Sequence, residues 1–159
     1  MPIATIAGGN THLADTHSIA FDAAGRIYET DNVYGINVFA PGANGNVAPV
    51  ANIPRNSTSG LSYPWGIALD STGKIYTLDA GHIFVFPADP VGTTSEAPLE
   101  TIAGSNTELD GGNDGMTVTP GGTILAADRN SSLILVFQPA SPARSIRRRN
   151  TRSREAAAV

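Results

Sequence analysis

Three segments of this chain can be laid under one another: Ser18–Asp31 (SIAFDAAGRIYETD), Gly66–Asp79 (GIALDSTGKIYTLD) and Gly115–Asp128 (GMTVTPGGTILAAD). Asp22, Asp70 and Thr119 coincide, as do Gly25, Gly73 and Gly122, at offsets of 48 and then 49 residues. A period of that length belongs to propellers and solenoids, in which each repeat is one supersecondary unit stacked on its neighbours. No other property of the sequence restricts the fold as strongly.

The physics within one unit is that of a β-meander. In the second unit the apolar run Ile67-Ala68-Leu69 meets Asp70-Ser71-Thr72-Gly73, where the Asp can bond the turn backbone and Gly can take the positive φ that closes a type I turn with a bulge. A second strand follows at Lys74–Leu78, a reversal at Asp79-Ala80-Gly81, and a third strand at Ile83–Phe86, matched by Ile36–Phe39 and Leu133–Phe137. These runs are apolar at nearly every position, as expected for sheets covered on both faces. A Pro-x-x-x-Ile signature marks a fourth, outer strand at Pro49–Ile53, Pro98–Ile102 and Pro142–Ile146, and it also opens the chain at Pro2–Ile6. The reading is therefore all-β: a β-propeller of three four-stranded antiparallel blades, forming an open arc or half ring. The blade units run over about 7–53, 54–102 and 103–146, with an additional outer strand at 2–6.

Composition agrees, with 17 Gly and 11 Pro against 15% charged residues. The absence of cysteine rules out disulfides and thiolate metal sites. No apolar run approaches membrane-spanning length and no signal-peptide pattern is visible, so a soluble chain with no membrane partner is expected. Charge is unevenly spread. Residues 1–143 hold four basic and thirteen acidic side chains, a net of −9, whereas residues 144–159 hold six Arg and one Glu, a net of +5. The stretch 147–159 matches nothing in the repeat and is expected to be a disordered Arg-rich tail. With no aromatic residue interleaved and an acidic body behind it, the tail is not expected to bind nucleic acid.

The segment Pro64–Phe86 (PWGIALDSTGKIYTLDAGHIFVF) resembles the NHL-repeat type of β-propeller, with its P-x-G-I-A-hydrophobic-D-x-x-G-x-hydrophobic-Y-hydrophobic-x-D pattern. The first unit departs from it at Thr16 and Ser18; the third departs at Thr119 and lacks the tyrosine. Loops such as FAPGANGNVAP (Phe39–Pro49) resemble those of bacterial members, and an extracytoplasmic setting is implied by the family alone.

Rings usually need four to eight blades, so three leave two bare sheet faces of about 300 Å² each. Covering each is worth several kcal/mol at about 25 cal/mol per Å². Two copies could close a six-bladed ring by self-association, or the chain could be a fragment of a longer propeller. Outer-strand signatures at both ends favour the fragment.

Strand parity puts His17, Trp65 and Asp114, which precede the first strand of each unit, at the same end as Asp31, Asp79 and Asp128. His17, Trp65 and Asp114 are the candidate ligand-binding residues, for a protein or small-molecule ligand. The recurring Asp31, Asp79 and Asp128, like Asp22 and Asp70, read as turn-forming. His12 and His82 have no repeat partner and are expected to be exposed. The favoured function is a propeller-type binding or scaffold module with no catalytic residues, metal or cofactor. The alternative implied by the resemblance is a metal-dependent lyase or lactone hydrolase of the streptogramin lyase or gluconolactonase-like type. It would hold calcium or zinc at the channel mouth, with His17 as ligand or base and Asp114 as ligand.

Overall fold

A computed structural model describes residues 1–111 and 113–138. The expected fourth strand of the third blade at Pro142–Ile146, and the Arg-rich tail, lie outside the described residues.

The twelve strands form three separate sheets. The first blade contains β1 (Thr16–Phe21), β2 (Ile27–Asp31), β3 (Gly35–Phe39) and β4 (Ala51–Ile53). The second contains β5 (Pro64–Leu69), β6 (Ile75–Asp79), β7 (His82–Phe86) and β9 (Glu100–Ile102). The third contains β10 (Asn113–Val118), β11 (Ile124–Asp128) and β12 (Leu133–Phe137). Every neighbouring pair among these is antiparallel. No α-helix occurs among the described residues; a 3-10 turn at Ser105–Thr107 precedes the third blade.

The inner hairpins close as their turn residues dictate. Gly25, Gly73 and Gly122 sit at φ of 81, 83 and 83°, and their amides donate to the carbonyls of Asp22, Asp70 and Thr119. The aspartates also reach across the hairpin to a phenol. Tyr28 Oη donates to Asp22 (3.3 Å) and Tyr76 Oη to Asp70 (3.1 Å). The third unit, with Thr119 and Leu125, has lost both partners of this bond together. Its two departures from the repeat are thus one physical change.

The blades pack face to face. Tyr28, Ile36, Val38 and Ile53 of the first meet Leu61, Ile67, Ile75, Phe84 and Phe86 of the second. Tyr76, Leu78, Ile83 and Val85 on the second blade's other side meet Met116, Val118, Ile124, Ala126, Leu135 and Phe137 of the third. Each large side chain so buried contributes about 1.5–3 kcal/mol. The innermost strands β1, β5 and β10 stand side by side around the axis. Close approach there depends on Gly66, where a Cβ would lie 3.2 Å from the Met116 nitrogen.

Two features differ from the sequence-based expectation. The loop after β7 contributes β8 (Gly92–Thr93), which pairs in parallel with β4 and makes the first sheet five-stranded. Residues 2–6 form no strand of a sheet; they make a one-residue parallel bridge, Ile6 to Gly45. Among the described residues no third strand lies beside them with which a ladder could form.

Candidate functional site

In each blade the first strand carries a β-bulge at its start. Register passes from Thr16↔Asp31 to Ser18↔Thr30, from Pro64↔Asp79 to Ile67↔Thr77, and from Asn113↔Asp128 to Gly115↔Ala127. The residues carried by these bulges are His17, Trp65 with Gly66, and Asp114. A bulge breaks the alternation of side chains and re-aims the one it carries. The backbone carbonyls freed there are taken up by threonines: Thr30 Oγ1 donates to Trp65 O (2.9 Å), and Thr77 Oγ1 to Gly66 O (2.9 Å). Ser18 N in turn donates to Thr30 Oγ1 (3.1 Å).

His17 and Trp65 come together. Their ring centroids are 4.2 Å apart with planes inclined by 51°. Asn32 Nδ2 lies 2.6 Å from His17 Nε2 and donates to Asp15 Oδ2 at 3.1 Å. Asp15 Oδ1 is 3.6 Å from Nε2, and Asn32 Oδ1 is buried without a partner among the described residues. Asp114 occupies the equivalent bulge of β10; its side chain lies outside what the structure describes.

The recurring aspartates are bound up in backbone. Asp31 accepts from the amides of Ala14 (2.7 Å), Asp15 (2.8 Å), Val33 (2.7 Å) and Tyr34 (2.9 Å). Burial alone would raise its pKa, but these four N–H bonds hold it below the usual carboxylate value. Asp79 accepts from Ser62 N, Ser62 Oγ and Tyr63 N, and Asp128 from Ser131 N. At the opposite end of the blades, the three inner turns line a cavity of about 500 Å³ containing Asp22, Arg26, Asp70 and Asp89. There too the charges are engaged: Arg26 pairs with both Asp22 and Asp89, and Asp70 accepts from Thr72 and Lys74. Among the described residues no three His, Asp or Glu side chains converge as a metal site.

His82 is exposed, as expected; His12 is not. It is half-buried at φ 57° and stacks on Tyr34, centroids 4.5 Å apart and planes 7° apart. Loop 8–14 folds back over the blade, and Asn37 Nδ2 donates to the His12 carbonyl. Sequence reasoning missed Asn32, because its counterparts Ala80 and Arg129 carry no repeating signal. It also missed Glu29, although a second carboxylate inside the strand IYETD, beside the recurring Asp31, was visible. Glu29 is 3% exposed, accepts from Asn37 Nδ2 (3.0 Å) and leaves Oε1 unpartnered. Burial raises its pKa to about 7; the Asn37 bond opposes this and the Asp31 charge adds to it. With His17, Ile19, Ile27 and Phe39 it lines a cavity of about 400 Å³ on the first blade's uncovered face.

Sheets radiating from three adjacent inner strands define a β-propeller, present here as three consecutive blades. The NHL repeat family model matches residues 61–86, within the second blade. Among 39 matching chains of known structure is the WD40 β-propeller domain of Doa1. It superposes with a TM-score of 0.61 at 14% identity, over 87% of this chain and 41% of its own. The chain thus spans less than half the length of that propeller. No curated protein sequence matches it.

Proposed function

We propose that the chain is a propeller-type binding or scaffold module, without catalysis of its own, that works as part of a larger ring of NHL-like blades. The resemblance of its loops points to a bacterial setting, and the family resemblance alone to an extracytoplasmic one. The observation that supports a binding role is the bulge-borne pair His17 and Trp65. It forms an aromatic shelf rimmed by Asn32 and Asp15, while the recurring carboxylates are held by backbone amides. A shelf of this kind receives a flat or aromatic group of a small molecule or peptide, and Asp114 stands at the corresponding place on the next blade.

Trp65 is the sole tryptophan, so its fluorescence reports on this mouth directly. Titration with aromatic dipeptides, lactones, calcium and zinc should give saturable quenching by an organic ligand that is lost in His17→Ala, with no turnover. Lactone cleavage that requires calcium or zinc and disappears in His17→Ala and Asp114→Ala would replace this reading with the hydrolase.

A further inference from the structure

The segment at residues 2–6 occupies the place that an outer strand would take in a blade ahead of the first. Between the first and second blades, Asn52 O accepts from Thr94 N (3.0 Å) in the loop after β7. At the N-terminus, Thr5 O accepts from Gly45 N (2.7 Å) in the corresponding loop after β3. Thr5 precedes Ile6 as Asn52 precedes Ile53. One edge of the segment is therefore docked as β4 is docked. The other edge, which carries the amides and carbonyls of Ala4 and Ile6, has no hydrogen-bond partner among the described residues.

The complementary edge lies at the other end of the described residues. β12 is the third strand of its blade, and among the described residues no outer strand pairs with it. The faces match as well. Leu125, Ile134 and Val136 hold the positions of Tyr28, Ile36 and Val38, and of Tyr76, Ile83 and Val85, which cover the following blade. Ile19, Phe21 and Ile27 hold the positions of Ile67, Leu69 and Ile75, and of Met116, Val118 and Ile124, which receive the preceding blade. The same two faces meet twice inside the chain. They remain uncovered only at its two ends, where Ile134 is 72% and Phe21 59% exposed.

We propose that two copies of this chain close a six-bladed ring, in which residues 2–6 of each copy form the outer strand of the other copy's third blade. The register follows from Ile36↔Ile53, Asn37↔Asn52 and Val38↔Ala51: Ile134 of one copy opposes Ile6 of the other, Leu135 opposes Thr5, and Val136 opposes Ala4. A second copy is the occupant because it brings together the receiving face and the strand already set on that face by the Gly45 loop. The area suffices: four end faces of about 300 Å² each exceed the roughly 1,000 Å² of a specific interface. The competing occupant of the β12 edge is the chain's own Pro142–Ile146. Only four residues separate it from Phe137, against nine and eleven at the same point of the first and second units, too few to repeat the loop that docks on the preceding blade.

The inference rests on the ring reading above, and its test is separate from ligand binding. Light scattering of the unmodified chain should give a dimer near twice 16.4 kDa. The chain lacks cysteine, so Thr5→Cys and Leu135→Cys in one chain should oxidise to an interchain disulfide. Ile3→Cys with Leu135→Cys, two residues out of register, should give at least tenfold less. A folded monomer, open-ended oligomers, or equal cross-linking from both pairs would overturn the proposal. An intrachain disulfide between Leu135→Cys and Ser145→Cys would do the same. Any of these results would leave the Trp65 reading standing.

Discussion

The middle blade and the two end blades are built from nearly the same unit and differ in how they are covered. Four of the five residues of β7 are buried, whereas none is in β12, at the same position one unit later. Ile83 is fully buried and its counterpart Ile134 is 72% exposed, although both stand in apolar strands of the same length. In a propeller, then, an apolar strand is a demand for neighbours and does not by itself constitute a core. Stability is concentrated where a blade has both of its neighbours.

The sharpest test of that contrast is a pair of substitutions at equivalent sites. Ile83→Ala should lower unfolding stability by about 2–5 kcal/mol in urea titrations, by transfer and cavity terms together. Ile134→Ala should cost under about 1 kcal/mol in a monomer and approach the Ile83 value only when a second copy covers it. Next in size is Asp31→Ala, which leaves four part-buried amides without their acceptor and should cost about 2–4 kcal/mol by the same measurement. Because the folded pKa of Asp31 lies below its unfolded value, its contribution is complete above the unfolded pKa of 3.8 and is lost as pH falls through the folded value. Acid titration of stability should show this loss in the native chain and not in the variant.

Glu29 has the opposite sign. Its folded pKa, raised to about 7, means that its own contribution to stability is fully present below the unfolded value of 4.5 and declines as pH rises from there through about 7. Glu29→Gln keeps an acceptor for Asn37 and removes the charge. It should flatten that decline and add on the order of 1–3 kcal/mol at pH 8, discounted for the open cavity beside it. Thermal melts at pH 5 and pH 8 check both. The middle blade has Thr77 at this position, fully buried and bonded to Gly66 O, so no comparable pH dependence arises there. Smallest of all, Thr77→Val should cost about 1 kcal/mol by leaving the Gly66 carbonyl without its donor, and Thr30→Val about as much at Trp65.

What could be read from the sequence was whatever a short stretch of chain decides alone. Asp and Gly at fixed spacing close a hairpin through their own backbone, so the inner turns, the order of strands and the repeat as a propeller blade were all legible before any coordinates. The aspartates could be recognised as structural for the same reason: they recur wherever the backbone needs the same bonds. His17, Trp65 and Asp114 could be placed at one end of the blades by strand parity. The bulges that carry them could not, because a bulge is a mismatch between two strands and exists only when both are paired. Nor could the contact of His17 with Trp65, which lie 48 residues apart in different blades, or the hydrogen bond between Asn32 and His17, which no repeat announces. The docking of residues 2–6 on Gly45, and of Gly92–Thr93 on β4, likewise depends on loops of one blade reaching the edge of another. Local turn chemistry determined the blade; packing between blades, which no single segment encodes, decided which faces are covered and which side chains meet.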